Sequence, residues 1–81
     1  AKIIPSNGSH YENGIRYFIY YVNPNSTNDF VVTGYTDRFN LRTFYISYKP
    51  AYAKPEQVRL AINSYTQSTS YSVYVTGEWM P

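Results

Sequence analysis

The alternation of apolar and polar positions predicts short β-strands along most of the chain. Residues 15–22, IRYFIYYV, carry β-branched and aromatic side chains on both alternating faces, whereas residues 57–64, QVRLAINS, are apolar on one face. The first pattern is typical of a central sandwich strand or of a strand packed on a neighbouring subunit. The second is typical of a half-exposed antiparallel strand. Shorter runs of the same kind occur in FVVTGY, LRTFYISY and YSVYVTGEW.

Turn-forming residues separate these runs. NPNSTND and YTQSTS are polar loops, and Pro50 and Pro55 shape a connector, because proline lacks the N–H that the middle of a sheet needs. Residues 1–14 hold one proline and two glycines among polar residues, which predicts an irregular N-terminal arm or linker. No apolar spacing of i, i+3, i+4 and i+7 is sustained, so we expect almost no helix. The sequence predicts an all-β fold, a small antiparallel β-sandwich or barrel of five to six strands within a single domain over residues 15–81.

Composition limits the partners and the means of stabilisation. A chain of 81 residues without cysteine has no disulfides, and its 11 tyrosines and 4 phenylalanines exceed what one small core can hide. Either these rings cover both faces of a thin sheet structure, or a partner chain covers some of them.

The net charge is +2 and the basic residues are scattered singly, so we predict no nucleic-acid partner. No apolar run approaches the roughly 20 residues of a membrane span, so we predict no membrane insertion.

The residues that catalysis needs are sparse. There is no cysteine, and His10, the one histidine, lies in the predicted arm, so a nucleophile would have no suitable base. Asp37 and the other acids stand singly in predicted loops or strand ends, as solubility alone would place them. Metal-ligand spacing and a glycine-rich phosphate loop are absent from the sequence. We therefore predict a protein that is not an enzyme and has no catalytic residue, metal site or cofactor.

The polar and aromatic loops favour a binding module. An aromatic face packs on the apolar side of a pyranose, while amide, carboxylate and guanidinium groups satisfy its hydroxyls. Ordinary turn chemistry or core packing is the alternative for each candidate, and for Trp79 it is burial or a subunit contact. The candidate ligand-binding residues are Asp37, Arg38 and Asn40 in the predicted turn TDRFN, Tyr65 and Gln67 in the predicted loop SYTQSTSY, and Trp79.

Residues 39–79 are similar to a known family. The stretch FNLRTFYISYKPAYAKPEQVRLAINSYTQSTSYSVYVTGEW resembles the C-terminal half of receptor-binding tip domains of tailed-phage fibres and baseplates. In that family a proline, an aromatic, a basic residue and a second proline connect two strands, and the last strand closes around a glycine. Residues that match this pattern are Pro50, Tyr52, Lys54, Pro55, the strand 58–63 and Gly77.

The resemblance implies a homotrimer of β-sandwich heads that recognise a saccharide or a protein on a bacterial cell surface. The protein would then belong to the virion tail, or be secreted or extracellular. A second hypothesis is a small secreted monomeric effector, such as an enzyme inhibitor or an antimicrobial protein. In that case the segment between Pro50 and Pro55 would be its interaction loop, because rigidity reduces the entropy lost on binding.

Overall fold

A computed structural model of the chain describes residues 1–22, 30–52, 57–66 and 72–81. The described residues form no α-helix, and their helical parts are the three-residue 3₁₀ turns Tyr11–Asn13 and Pro50–Tyr52. The predicted all-β fold is confirmed. The strands are β1 (Lys2–Gly8), β2 (Ile15–Tyr21), β3 (Phe30–Val31), β4 (Thr36–Arg38), β5 (Phe44–Tyr45), β6 (Val58–Ser64) and β7 (Val75–Met80).

The strands form two antiparallel sheets in a sandwich-like arrangement. In the first sheet β1 lies between β5 and β7. In the second sheet β2 pairs with β6 along its whole length on one side. On its other side β2 pairs with β3 at one end and with β4 at the other. Both sheets are therefore organised around a central strand, β1 or β2.

The core lies between the sheets and is built on alternate residues of β2. Ile15, Tyr17 and Ile19 have an exposed fraction of 0%. Tyr17 packs edge-on against Phe44 of the first sheet, with ring centroids 4.7 Å apart. The inward face of β6 was predicted from its alternation, and it is confirmed because its apolar side chains pack against this core. The other buried apolar side chains are Ile3, Val32 and Ile46, and the partly buried ones include Val58, Leu60, Ile62, Val75 and Trp79.

The N-terminal segment differs from the sequence-based expectation. Lys2–Gly8 form the central strand of the first sheet instead of an irregular arm. The sequence signal was misleading because Pro5 suggests a break. In the structure the β1–β7 register shifts between Pro5 and Asn7, and a bulge tolerates a residue without an N–H. The irregular part of this segment is confined to residues 9–14.

The connector that suggested the phage family is described in part. Pro50 begins the turn Pro50–Tyr52, whereas Lys54 and Pro55 lie outside the described residues. Gly77 lies inside β7, opposite Pro5. A Cβ at Gly77 would collide with the carbonyl oxygen of Ile4, so the close approach of β7 to β1 requires glycine there.

A bulge separates β3 from β4 on the same edge of β2. Tyr20 opposes Val31 and Tyr17 opposes Thr36. The stretch from Val31 to Thr36 therefore contains more residues than the stretch of β2 from Tyr17 to Tyr20 that it faces. Thr33, which is buried, compensates for the interrupted ladder: its Oγ1 accepts a hydrogen bond from the Ile19 N–H at 3.0 Å. The same hydroxyl donates to the carbonyl of Gly34 at 2.9 Å. Tyr35 follows Gly34, and the bulge places it on the outer face of the sheet, where its ring contacts that of Phe18.

Candidate binding surface

The outer face of β2 carries large side chains that the core does not bury. Because side chains alternate along a strand, Arg16, Phe18 and Tyr20 face away from the buried residues of β2, and each is half-buried. The register places Arg16 between Asp37 of β4 and Asn63 of β6. Near the start of β2, this outer face therefore carries an arginine flanked by a carboxylate and an amide.

Arg16 and Asp37 form a two-pronged ion pair. Arg16 Nε donates to Asp37 Oδ1 at 2.8 Å, and Nη2 donates to Oδ2 at 3.2 Å. The hydrogen bond to Asp37 is the main cause of a raised pKa of the Arg16 guanidinium, with burial acting in the opposite direction. Both side chains keep about a quarter of their surface exposed, at 27% and 28%. The pair fixes the plane of the guanidinium and leaves little net charge at this point.

Two tyrosine rings flank this guanidinium. Arg16 Cζ lies 5.2 Å from the ring centroid of Tyr35 and 5.4 Å from that of Tyr65, within cation–π distance. Tyr35 also meets Phe18 edge-on at 5.2 Å, and Tyr65 meets Phe39 edge-on at 5.6 Å. We call the set Arg16, Tyr35, Asp37, Phe39 and Tyr65 the aromatic surface.

The rings of the aromatic surface are held in place and still exposed. Tyr35 exposes 60% of its surface, Phe39 52% and Tyr65 43%. Each has a defined neighbour on one side, so binding a ligand on the other side would cost less side-chain entropy than ordering a free ring. The surface thus offers apolar ring faces next to guanidinium donors and carboxylate acceptors.

A glycine makes room for two of these rings. Gly14 has φ 98°, a conformation that side chains rarely adopt. A Cβ at this position would lie 2.7 Å from Phe39 Cε1 and 2.7 Å from Tyr65 Cβ. The Tyr65 N–H also donates to the Gly14 carbonyl at 3.0 Å. Gly14 therefore allows the turn before β2 to pack closely against Phe39 and Tyr65.

Two of the sequence-predicted binding residues come together here. Asp37 and Tyr65 lie in different parts of the chain, and Arg16 contacts both. Asn40 is exposed, but its Oδ1 accepts a hydrogen bond from the Arg42 N–H at 3.0 Å, which is ordinary turn chemistry. Gln67 lies outside the described residues.

Arg38 and Trp79 lie elsewhere. Arg38 follows Asp37 in β4, so its side chain takes the opposite face, and its Cζ lies 4.9 Å from the ring centroid of Phe44. Trp79 is half-buried and packs against the core next to Ile3, with which it is paired. It lines a cleft of about 220 Å³ between the sheets, together with Leu60 and Ile62. Neither residue contributes to the aromatic surface.

Three members of the aromatic surface were not predicted from the sequence: Arg16, Tyr35 and Phe39. Arg16 lies on the same predicted strand face as Phe18 and Tyr20, and that period-two pattern was the available signal. Its contact with Asp37 depends on the β2–β4 register, which a single sequence does not provide.

The described ranges lack a metal-binding cluster and a membrane-spanning helix. They contain no group of three or more His, Cys, Asp and Glu side chains placed to hold a metal ion. They also contain no helix that is long and apolar enough to span a membrane.

Comparison of the chain with protein-family models, curated proteins and solved structures finds no match.

Proposed function

We propose that this domain is a non-catalytic binding module and that its aromatic surface recognises a saccharide. The observation that carries the proposal is the set of three exposed rings, Tyr35, Phe39 and Tyr65, arranged around the Arg16–Asp37 pair. A ring face packs on the apolar side of a pyranose, and the neighbouring guanidinium and carboxylate groups hydrogen-bond to hydroxyls.

The charge of the surface favours a neutral sugar over a polyanion. Asp37 neutralises Arg16 directly, and the chain as a whole has a net charge of only +2. A surface that follows a phosphate or sulfate chain needs several unpaired cations on one face. The geometry therefore supports recognition by stacking and hydrogen bonding, with little electrostatic attraction over a distance.

The resemblance to phage receptor-binding tips supports a more specific proposal. The saccharide would belong to a bacterial cell surface, and the module would work as part of a virion tail and as a homotrimer. A cell-surface protein is the other partner that this family implies. The monomeric effector hypothesis depends on residues 50–55, of which the structure describes the first three as a 3₁₀ turn, Pro50–Tyr52.

A binding experiment with ring-deletion variants tests the saccharide proposal. The ¹⁵N-labelled domain is titrated with neutral O-antigen and capsular oligosaccharides, and with anionic teichoic-acid oligosaccharides as the comparison, while its amide NMR signals are recorded. We expect one ligand to shift the amides of residues 14–16, 35–39 and 63–65. Tyr65→Ala and Tyr35→Ala should each weaken that ligand's binding about fivefold, since a ring contact is worth about 1 kcal/mol.

Tyr45→Ala is the matched control. Tyr45 exposes 71% of its surface and lies on β5 of the other sheet, so its removal should leave saccharide binding unchanged. Arg16→Lys should weaken binding while keeping the positive charge, because lysine cannot reproduce the planar two-pronged pairing with Asp37. Saturable binding that is insensitive to Tyr35 and Tyr65, or the absence of saturation with every oligosaccharide, would contradict the proposal.

A further inference from the structure

The outer face of β6 carries two short side chains between two long ones. Because side chains alternate along a strand, Arg59, Ala61 and Asn63 face away from the core. Tyr65 continues this alternation beyond the end of β6, since its N–H still pairs with the Gly14 carbonyl at 3.0 Å. Arg59, Asn63 and Tyr65 are exposed, and Ala61 is half-buried. We call the set Arg59, Ala61, Asn63 and Tyr65 the β6 track.

Larger side chains border the middle of the β6 track on its β2 side. Ala61 lies opposite Phe18, and Asn63 lies opposite Arg16. Tyr35 supports both of these larger neighbours: its ring meets that of Phe18 edge-on at 5.2 Å, and Arg16 Cζ lies 5.2 Å from its centroid. The β6 track is therefore a shallow path along the strand, bounded on one flank by the aromatic surface and Phe18.

The length of the β6 track suits a run of several sugars. Arg59 and Tyr65 are six residues apart, which corresponds to about 20 Å in an extended strand, or about four pyranose units. The Tyr65 ring can pack on the apolar side of a pyranose at one end, and the Arg59 guanidinium can donate to hydroxyls at the other. Between them, the Asn63 amide offers both a donor and an acceptor.

We propose that the β6 track binds an internal run of about four sugars of a linear, neutral glycan that lies along the strand. At one end a sugar stacks on Tyr65, and at the other end a sugar reaches Arg59. The sugars between them lie over Ala61 and Asn63. Because both end residues are exposed, the glycan can continue past either end of the track. This inference rests on the saccharide-binding function proposed above and adds the form of the ligand.

A polypeptide or a polyanion would find less to bind on this face. The backbone groups of β6 lie in the plane of the sheet, so the track offers side chains only, whereas extended peptides bind mainly through backbone hydrogen bonds at a sheet edge. Arg59 is the only charged member of the track, and Asp37 already neutralises the neighbouring Arg16. A polyanionic chain needs several unpaired cations on one face.

The first test varies the length of the ligand. Neutral O-antigen and capsular polysaccharides are cut by partial acid hydrolysis into size-separated fragments of about one to eight sugars, and each is titrated into the ¹⁵N-labelled domain. We expect affinity to rise about fivefold with each sugar that gains a contact, and to level off at about four sugars. The amides of residues 59–61 should shift only with fragments long enough to reach them. Reduction of the terminal sugar to its alditol should leave the affinity of the longest fragments unchanged.

The second test obstructs the β6 track without removing a ring. In Ala61→Leu the longer side chain lies beside Phe18, in the path of the glycan. We expect fragments of about four or more sugars to bind about 25-fold more weakly, because the two sugars beyond Asn63 lose their contacts, and fragments of about two sugars to bind as before. Thr76→Leu, at an exposed position in β7 of the other sheet, is the matched control and should bind every fragment as the unmodified protein does.

The outcomes distinguish this inference from the proposed function. Equal affinity for one sugar and for longer fragments, with Tyr65→Ala still weakening binding, would overturn the track and keep the saccharide site. Unchanged binding of long fragments by Ala61→Leu, or their loss of affinity on terminal reduction, would also overturn the track alone. Binding insensitive to Tyr35 and Tyr65, or no binding of any fragment, would overturn both. If Ala61→Leu loses the β-sheet circular dichroism signal, the length dependence in the unmodified protein decides the question.

Discussion

At the scale of single residues, the Tyr17 hydroxyl is an unusual core group. The side chain is fully buried, and the hydroxyl has no hydrogen-bond partner within the described ranges. Burial raises the pKa of the Tyr17 phenol above its ordinary value of 10.0, and the nearby Arg38 charge partly opposes this. An unsatisfied buried polar group reduces stability, so the hydroxyl costs free energy that the ring's packing on Phe44 offsets.

Tyr17→Phe removes that hydroxyl and keeps the ring. We expect the free energy of unfolding to rise by about 1 kcal/mol at pH 7 in urea denaturation. Because the folded-state pKa is raised, the stability contributed by the neutral phenol is present below pH 10.0 and is lost as the pH rises through the folded-state pKa. The variant should therefore lose less stability than the unmodified protein above pH 10.0.

Tyr45→Phe serves as the control for this change, because Tyr45 is exposed and its hydroxyl is solvated. Its free energy of unfolding should match that of the unmodified protein within about 0.5 kcal/mol. Burial also raises the pKa of Tyr48, so part of the alkaline loss will remain in Tyr17→Phe. A destabilised Tyr17→Phe would show that the hydroxyl has a partner.

Gly14 is the second position where one residue decides a local arrangement. Gly14→Ala combines a strained positive φ with contacts to Phe39 and Tyr65 that are too close for a methyl group. We expect the free energy of unfolding to fall by about 2 kcal/mol or more, as measured by chemical denaturation. In Gly34→Ala the added methyl meets nothing within 4 Å, so this variant should stay within about 0.5 kcal/mol. Equal effects of the two changes would contradict the steric explanation.

At the scale of elements, the bulge between β3 and β4 depends on Thr33. Replacing Thr33 by valine keeps the shape of the side chain and removes the acceptor for the buried Ile19 N–H. We expect Thr33→Val to lower the free energy of unfolding by about 1 to 3 kcal/mol in urea denaturation, because an unpaired buried donor keeps its desolvation penalty. Thr76→Val, at an exposed position in β7, should have little effect. Similar stability in both variants would contradict the role of Thr33.

The strands that the sequence predicted well are those with clear apolar periodicity. β2 and β6 follow the predicted boundaries within one residue, and the apolar face of β6 was assigned correctly from alternation. β2 is apolar on both alternating faces, so its alternation did not show which face is buried. β1 and β4 were expected as an arm and a turn, because Pro5 and the polar run TDRFN are typical of breaks. They become strands by pairing with β7 and β2, which is tertiary context that local propensity does not contain.

The aromatic surface was only partly predictable for a related reason. Asp37 and Tyr65 were recognised from loop composition, but Arg16, which joins them, was assigned only to a strand face. Contacts across strands depend on register, and the bulge that carries Tyr35 outward adds residues to one side of the ladder. A sequence shows which residues alternate but not which residues on the next strand they meet.

At the scale of the whole molecule, the homotrimer of the proposed function would carry three aromatic surfaces. Such a trimer would engage a repetitive glycan at more than one point. The second contact would then form at an effective concentration that can reach the millimolar range, so weak single-site binding would suffice on a cell surface.

The pairing of β1 with β7 also affects how the chain folds. Lys2 lies opposite Met80, so this ladder joins the two ends of the described chain. The sheet around β2 uses residues 15–64 and closes shorter loops. Since the entropy lost on loop closure rises with loop length, the β2 sheet has the smaller cost and can form before β1 meets β7. We therefore expect the ladder between β1 and β7 to assemble last. A chain truncated before β7 would leave β1 with an open edge able to pair with other molecules.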